Sequence, residues 1–255
     1  MKAADLQGKT IAFAGSGGLD SCTITRWLAD QGVNVICFTA DLGQPDEDDT
    51  EAIRQRMLKA GAADFVLLPV REAIATAGLK VIQSQACYEG RYWNTTGIAR
   101  CVLTKAMLQE MQKRGLTVFS HGATGRGNDQ VRFQLITNML APEFEVYAPW
   151  RDEAFLARFP GRSEMIDFCQ ENGLTVSATK EKPYSTDANL LGLTHESGLL
   201  EALTTPAQFV KPVMGCYPQD APDQPENITI RFEKGTPVEV NGKPVSLVEA
   251  FLTAN

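Results

Sequence analysis

Six consecutive residues near the start of the chain combine the side chains and the backbone freedom that phosphate binding needs. Residues 16–21 have the sequence S-G-G-L-D-S. Gly17 and Gly18 allow the backbone to approach an anion closely, because no Cβ intervenes. Ser16 and Ser21 can add hydroxyl donors. The segment therefore predicts a phosphate-binding loop.

The elements on either side would position this loop. An apolar run at 11–14 predicts a strand, and residues 23–31 predict a helix that ends at Gly32. A strand, a small-residue turn and a helix bring unsatisfied backbone N–H groups to one point. The positive end of the helix dipole lies at the same point, and both favour a bound anion.

Two common phosphate-binding patterns do not fit this loop. The dinucleotide fingerprint G-x-G-x-x-G lacks its third glycine here, and no lysine follows Gly18 as the P-loop of NTPases requires. A glycine-rich turn without any ligand is an alternative that the residues leave open.

Strands alternate with helices over roughly the first 165 residues. We expect strands at 34–40, 65–70, 118–121 and 145–149, and helices at 46–60, 71–86, 96–114 and 163–172, with Gly78 as a weak point in the second helix. This alternation predicts an α/β fold with a doubly wound, mostly parallel sheet, in which ligands bind at the carboxyl ends of the strands.

The alternation fades after about residue 165, so we expect one domain at 1–165 and a smaller α+β domain at 166–255. Residues 182–187 and 192–198 are polar and rich in turn formers, and 206–225 holds five prolines. A strand is expected at 227–233. Asn241-Gly242 predicts a type I′ hairpin turn, and Ser246 predicts the start of a helix.

Composition narrows the function classes. The net charge is −7 and no dense basic cluster occurs, so nucleic acid is not an expected partner. No apolar run approaches 18 residues and no signal peptide is evident, which predicts a cytoplasmic protein. The six cysteines lack C-x-x-C spacing, so we expect reduced thiols rather than zinc ligands or disulfides.

Several segments together carry a resemblance to a known family. The chain resembles the argininosuccinate synthases, a family of adenylating ATP pyrophosphatases with an adenine nucleotide alpha hydrolase-like domain. The likeness runs from about residue 10 to the end, and its motifs are AGSGGLDS at 14–21, FTADLGQ at 38–44, YEGRY at 88–92, HGATGRGNDQVRF at 121–133, PYSTD at 183–187 and FEKGTPV at 232–238.

The resemblance implies a ligase that joins citrulline to aspartate in arginine biosynthesis. ATP adenylates the ureido oxygen of citrulline, pyrophosphate leaves, and the aspartate amine then displaces AMP. The resemblance assigns ATP to Ala14, Ser16, Gly17, Gly18, Asp20, Ser21, Ala40, Gln44 and Gly122. Mg²⁺ would bridge phosphate oxygens. Asp20 could assist it through water, and capping of the helix is its alternative role.

The resemblance also assigns residues to the two amino-acid substrates. Aspartate would be held by Thr96, Thr124, Asn128 and Asp129, with Asp129 receiving the amine. Citrulline would contact Tyr92, Asn128, Arg132, Ser185, Thr194 and Glu196. Arg132 suits a carboxylate, because its planar fork donates two parallel bonds; the alternative is an ion pair on a helix surface. His121 is expected to end a buried strand.

The chain departs from the family pattern in three residues and at its end. Gly97 stands where many relatives have a serine that contacts citrulline, Arg126 replaces a lysine and Thr194 replaces a serine. Family chains continue far beyond residue 255 with a further Glu and Tyr for citrulline and a long helix for tetramer assembly. We therefore expect weak citrulline binding, slow turnover and no family-type tetramer, although a smaller homo-oligomer is compatible with the sequence.

Three hypotheses remain at this stage. The first is an argininosuccinate-forming ligase, and the second is an ATP pyrophosphatase ligase with a different acceptor. The third is a nucleotide-binding module that does not turn over. The 121–133 motif favours the first over the second.

Overall fold

The computed structural model describes residues 1–45, 49–125, 127–176, 184–196 and 198–255. The chain divides into two compact units. The first contains 1–40, 49–69 and 103–182, and the second contains 41–48, 70–102 and 183–255. Along the chain, the strands and α-helices are β1 Thr10–Ala14, α1 Leu19–Asp30, β2 Asn34–Asp41, α2 Thr50–Lys59, β3 Asp64–Pro69, α3 Arg71–Gln83, α4 Thr95–Arg114, β4 Val118–His121, α5 Asp129–Leu140, β5 Glu145–Tyr147, α6 Glu153–Arg158, α7 Arg162–Glu171, β6 Ser185–Asn189, β7 Gly192–Glu196, β8 Ile230–Glu233, β9 Thr236–Val240, β10 Lys243–Pro244 and α8 Leu247–Ala254.

A five-stranded sheet with the order β3-β2-β1-β4-β5 forms the centre of the first unit. β1 pairs in parallel with β2 and with β4, and β4 pairs in parallel with β5. The consecutive residues Ile11, Ala12 and Phe13 of β1 are all fully buried, as expected for a central strand covered on both faces. The predicted doubly wound parallel sheet is confirmed.

The core of the first unit lies between this sheet and the helices α1, α2, α6 and α7. Ile24 and Leu28 of α1 and Met57 of α2 are completely buried in one apolar cluster. Phe155 of α6 lies in the same cluster and makes an edge contact with Trp27, with ring centroids 5.1 Å apart. Such a core holds α1, and the loop before it, in a fixed position against the sheet.

One predicted helix start in the first unit changes, and one helix was missed. The helix predicted at 46–60 begins at Thr50 as α2, where the Asp49 carboxylate accepts a hydrogen bond from the Ala52 N–H at 2.8 Å. Residues 46–48 of that prediction lie outside the described part of the chain. The short helix α6 was not predicted. Its N-cap is the buried Asp152, whose side chain also accepts from the Ala3 N–H and the Tyr147 hydroxyl.

The second unit contains a hairpin that the sequence analysis missed. Residues 182–187 and 192–198 were predicted as turn-rich segments. This is wrong for their described parts, because Ser185–Asn189 and Gly192–Glu196 pair as antiparallel strands. Both strands carry polar residues on both faces, so no alternation of apolar and polar residues marks them.

The predicted weak point at Gly78 does not interrupt α3. Gly78 is buried inside an unbroken helix, and a Cβ at this position would collide with the side chain of Leu191. The glycine therefore allows close packing and does not bend the helix.

The end of the chain follows the prediction closely. β8, β9 and β10 form a three-stranded sheet, and the turn between β9 and β10 has Asn241 and Gly242 at φ of 49° and 75°, as a type I′ turn requires. Ser246 and Glu249 form a capping box at the start of α8, and the helix packs on β9 and α3. Within the described residues, no helix has both the length and the apolar character needed to span a membrane.

Candidate active site

The S-G-G-L-D-S loop connects β1 to α1, as predicted. Gly17 has a φ of +73°, a conformation that favours glycine, and Gly18 is the N-cap of α1 with no side-chain cap. The N-cap residue therefore leaves the start of α1 open to a ligand, although the Asp20 carboxylate accepts a hydrogen bond from its own backbone N–H.

Hydrogen bonds hold the loop in place. The Gly15 N–H donates to the Phe38 carbonyl at 3.0 Å, and the Thr39 hydroxyl donates to the Gly15 carbonyl at 2.6 Å. The Ser16 N–H donates to the Ser21 Oγ at 3.0 Å. Ser16 is exposed and Ser21 is buried, and their hydroxyl oxygens are 3.5 Å apart, so Ser21 orders the turn.

Asp20 lies in the first turn of α1 and is bonded to a distant residue. Its Oδ1 accepts a hydrogen bond from the Trp150 indole N–H at 3.1 Å. Burial raises the pKa of Asp20, and the Trp150 hydrogen bond lowers it in part. Gly18 is the N-cap of α1, and the Asp20 carboxylate accepts from its own backbone N–H in the first turn, so the alternative role of Asp20 at the helix start stays a prediction.

The second small-residue loop lies directly beside the first. Ala14 and His121 are register partners at the ends of β1 and β4. A Cβ on Gly122 would stand 3.7 Å from the Cβ of Asp20, and a Cβ on Gly125 would stand 2.8 Å from the Trp150 carbonyl oxygen. Gly122 thus lies within van der Waals contact of the first turn of α1, and Gly125 lets the second loop approach the Trp150 backbone more closely than a side chain would allow.

His121 is a buried support of this second loop. Its Nδ1 accepts a hydrogen bond from the Ala123 N–H at 3.2 Å, and its ring stacks on Phe133 with centroids 4.8 Å apart. Burial lowers its pKa to about 4, so the imidazole is neutral near pH 7. It ends a buried strand, as predicted.

The predicted substrate residues of the first unit lie at the start of α5 and in the loop before it. Asn128 is the N-cap of α5 and Thr124 is exposed. Asp129 and Arg132 form an ion pair, with Oδ1 and Nη1 2.7 Å apart, and each side chain is about a quarter exposed. The side chains predicted to bind aspartate and citrulline, Asp129 and Arg132, are thus paired with each other. Arg126 lies outside the described residues.

In the second unit, three of the predicted residues lie together. The Thr96 N–H donates to the Tyr92 hydroxyl at 3.3 Å, and the Thr96 and Thr194 hydroxyl oxygens are 3.5 Å apart. Ser185 and Glu196 are register partners at the open end of the β6–β7 hairpin, and both are exposed. The hairpin therefore brings distant candidate residues side by side.

Ala40 and Gln44 were predicted to lie near the adenine. Ala40 is buried near the end of β2, in the first unit. The Gln44 side-chain oxygen, in the second unit, accepts from the Leu42 N–H at 2.9 Å and so orders the segment that follows β2.

The glycine that departs from the family pattern has a structural partner. A Cβ on Gly97 would stand 2.6 Å from Oδ1 of Asn94, which itself has a φ of +51°. The Asn94 carboxamide thus fills the space that a side chain at 97 would need.

The sequence analysis did not predict three residues of the described part that contact the predicted site residues or lie next to them. Trp150 contacts Asp20, and Arg100 forms an ion pair with Asp187 beside Thr194 in the β6–β7 register. The Arg56 guanidinium lies against Gly17. No local pattern marks any of them, because their partners are far away in the sequence.

The fold and the first loop define a class. A parallel α/β sheet, with a glycine N-cap on its first helix and two glycine loops at adjacent strand ends, has the architecture of an adenine nucleotide alpha hydrolase-like domain. Residues 10–175 match the model of the arginosuccinate synthase N-terminal HUP domain, and residues 184–255 match that of the arginosuccinate synthase C-terminal domain. The chain belongs to the argininosuccinate synthase family.

Individual relatives agree with the family models. An argininosuccinate synthase of Rhodopirellula baltica is 44% identical over 94% of this chain, and those of Saccharomyces cerevisiae and Thermotoga petrophila are 41% and 39% identical over 96% and 90% of it. The matched part covers 60%, 60% and 56% of these relatives, so the chain spans less than two thirds of their length.

Proposed function

We propose that this chain binds ATP and uses it to ligate citrulline and aspartate to argininosuccinate, with AMP and pyrophosphate as the other products. One observation carries the nucleotide part of the proposal. The uncapped N-terminus of α1 follows the S-G-G-L-D-S loop, and Gly122 of the second loop stands against Asp20. Family membership supplies the choice of substrates.

The reaction needs activation because a ureido carbon is a poor electrophile. Attack of the ureido oxygen on the α-phosphorus forms citrullyl-AMP and breaks the bond from that phosphorus to the bridging oxygen. The aspartate amine then attacks the activated carbon, and AMP leaves with the former ureido oxygen. The protein's main contribution is to hold three reactants in line, which can supply about 7–11 kcal/mol of the barrier.

ATP is proposed to bind with its phosphates on the loop and its adenine near Ala40 and Gln44. Backbone N–H groups of the α1 start and the Ser16 hydroxyl donate to phosphate oxygens. Mg²⁺ would neutralise phosphate charge. The ion would be held chiefly by phosphates, with Asp20 assisting through water. The described residues contain no cluster of three or more acidic, histidine or cysteine side chains that could hold a metal.

The amino-acid substrates are proposed to bind to the residues that the family motif assigns. Asp129 would receive the aspartate amine, and Thr96, Thr124 and Asn128 would donate to its carboxylates. Arg132, now paired with Asp129, has further donors for the citrulline carboxylate. Tyr92, Ser185, Thr194 and Glu196 would complete the citrulline contacts.

Location and assembly belong to the same proposal. A cytoplasmic location and self-association into a small homo-oligomer, rather than the family-type tetramer, are carried over from the sequence analysis as predictions. The alternative function is nucleotide binding with little or no ligation.

Two titrations test the proposal. Calorimetry should detect ATP binding, and added citrulline should then cause pyrophosphate release that aspartate converts into net argininosuccinate formation. ATP binding without citrulline-dependent pyrophosphate release would support the alternative function instead. Absence of ATP binding to the folded chain would refute both.

A further inference from the structure

A cavity of about 470 Å³ opens beside the first loop in the first unit. Its described lining comes from α1, from the second half of α2 and from the segment after α7. The lining residues are Cys22, Gln55, Arg56, Lys59, Leu174 and Thr175. Only Cys22 among them directly follows the S-G-G-L-D-S loop. The other five lining residues lie outside the loop motif.

Arg56 connects this cavity to the loop. Its Nη2 and Nε atoms lie 3.2 and 3.3 Å from the point where a Cβ on Gly17 would stand. The guanidinium therefore rests against the Cα of Gly17, in space that any other residue's side chain would occupy. On the same side, the Cys22 thiol donates to the Gly17 carbonyl at 3.5 Å.

The charges around the cavity favour an anion. Arg56 and Lys59 are cationic and lie three residues apart, so they share a helix face. None of the six described lining residues is acidic, and Gln55 and Thr175 can donate neutral hydrogen bonds. Burial raises the pKa of the Cys22 thiol to about 12, so this group adds no negative charge near pH 7.

We propose that Arg56 and Lys59 bind the β- and γ-phosphates of ATP and the pyrophosphate product in this cavity. The inference rests on the proposed function, because it takes the loop as the site of the triphosphate. A guanidinium can donate two parallel bonds to a phosphate, and Lys59 adds a point charge within one helical turn.

The two cations would act on the leaving group. When the ureido oxygen attacks the α-phosphorus, the bond to the bridging oxygen breaks and its electron pair passes to pyrophosphate. Cations already placed around the β- and γ-phosphates stabilise this added negative charge without rearrangement. Arg56 and Lys59 are thus proposed as residues of the adenylation step rather than of citrulline or aspartate binding.

The experiment compares three ligands on the full chain by calorimetry: pyrophosphate, ATP and AMP. Arg56→Gln and Lys59→Gln should each weaken pyrophosphate and ATP binding by about 10-fold or more, the loss expected for one charge-assisted hydrogen bond. AMP lacks the two outer phosphates, so its binding should change less than about twofold. Arg56→Lys keeps the charge and should retain more ATP affinity than Arg56→Gln.

Arg54→Gln is the matched control. Arg54 lies on the same helix, is exposed and pairs with Glu51 at 3.2 Å, so its loss removes the same charge outside the cavity. Thermal melts of each variant confirm folding. Equal losses for AMP and pyrophosphate, or unchanged pyrophosphate binding in both variants, would overturn the inference.

The ligand set also separates this inference from the proposed function. If the wild-type chain binds ATP and the variants bind it equally well, the inference fails and the proposed function stands. If the wild-type chain binds pyrophosphate in an Arg56-dependent manner but does not bind ATP, the anion site stands and the proposed function fails. Failure to bind either ligand rejects both.

Discussion

The indole N–H of Trp150 donates a hydrogen bond of 3.1 Å to Oδ1 of Asp20, across 130 residues of sequence. Trp150 also presents its carbonyl oxygen to Gly125 of the second loop, at a distance that leaves no room for a side chain. One residue therefore links the first loop to the second, and it sets the environment of the carboxylate that is proposed to serve Mg-ATP.

We predict that Asp20→Asn changes the pH dependence of folding stability and, separately, weakens nucleotide binding. Burial raises the pKa of Asp20, so the native state holds this proton more tightly than the unfolded state does. The wild-type chain should therefore lose stability relative to the variant as pH rises from the ordinary carboxyl pKa to the raised one. Denaturant unfolding of both chains across this pH range measures the difference, and other groups cancel in the comparison.

The same variant should bind Mg-ATP more weakly near pH 7, because it lacks the negative charge. The substitution leaves Trp150 unchanged, so the contact of its carbonyl oxygen with Gly125 persists. A variant that is less stable than the wild-type chain at neutral pH, with unchanged Mg-ATP affinity, would show that Asp20 is structural.

Gly17→Ala should affect both stability and ATP binding. A non-glycine residue at a φ of +73° costs about 1–2 kcal/mol, and the new methyl group would stand 3.0 Å from Cγ2 of Ile53 and 3.2 Å from Nη2 of Arg56. Gly115→Ala is the matched control, because Gly115 has a φ of +67° with open space around it. The control variant should lose only the folding stability that the strained backbone conformation costs. Equal ATP affinity in the two variants would contradict the placement of Arg56 against the loop.

Gly97→Ser should be unfavourable unless Asn94 changes as well. The Asn94 carboxamide occupies the position of the new side chain, and Asn94 itself has a positive φ that glycine accepts. Asn94→Gly should therefore relieve the clash. A double-mutant cycle in denaturant should give a coupling free energy of about 1–2 kcal/mol. Additive effects would mean that the two positions do not compete for space.

Asp129→Asn should divide the proposed reaction into its two steps. The variant keeps the shape of the side chain but loses the charge that would attract the aspartate amine. Citrulline-dependent pyrophosphate release should persist, while argininosuccinate formation should slow by about 10-fold or more. Arg132→Gln, at the other end of the ion pair, should instead impair the citrulline-dependent step. Identical defects in the two variants would indicate a structural pair.

Local patterns predicted the parts of the fold that local chemistry determines. The strand, loop and helix at 10–30 carry their own apolar, glycine and helical signals, and Asn241-Gly242 specifies its turn through backbone conformation. The β6–β7 hairpin lacks such a signal. Its contacts are instead non-local: Asp187 lies opposite Thr194 in the strand register and forms an ion pair with Arg100.

In the candidate site, too, local motifs were predictable and long-range contacts were not. The family motif named residues on the two loops, but the residues that surround them are defined only by tertiary packing. Trp150 reaches Asp20 from beyond β5, and Arg56 reaches Gly17 from α2. Gly78 illustrates the reverse case, since a residue that weakens an isolated helix is required here by the contact with Leu191.

The most direct test of the account follows the ureido oxygen of citrulline. Citrulline labelled with ¹⁸O at this position is incubated with ATP, aspartate and an excess of the chain, so that a single slow turnover is visible. We predict AMP that carries the label, because the attacking oxygen stays on phosphorus when the aspartate amine displaces AMP. AMP that carries only solvent oxygen, or ATP that binds without forming AMP, would contradict ligation through citrullyl-AMP.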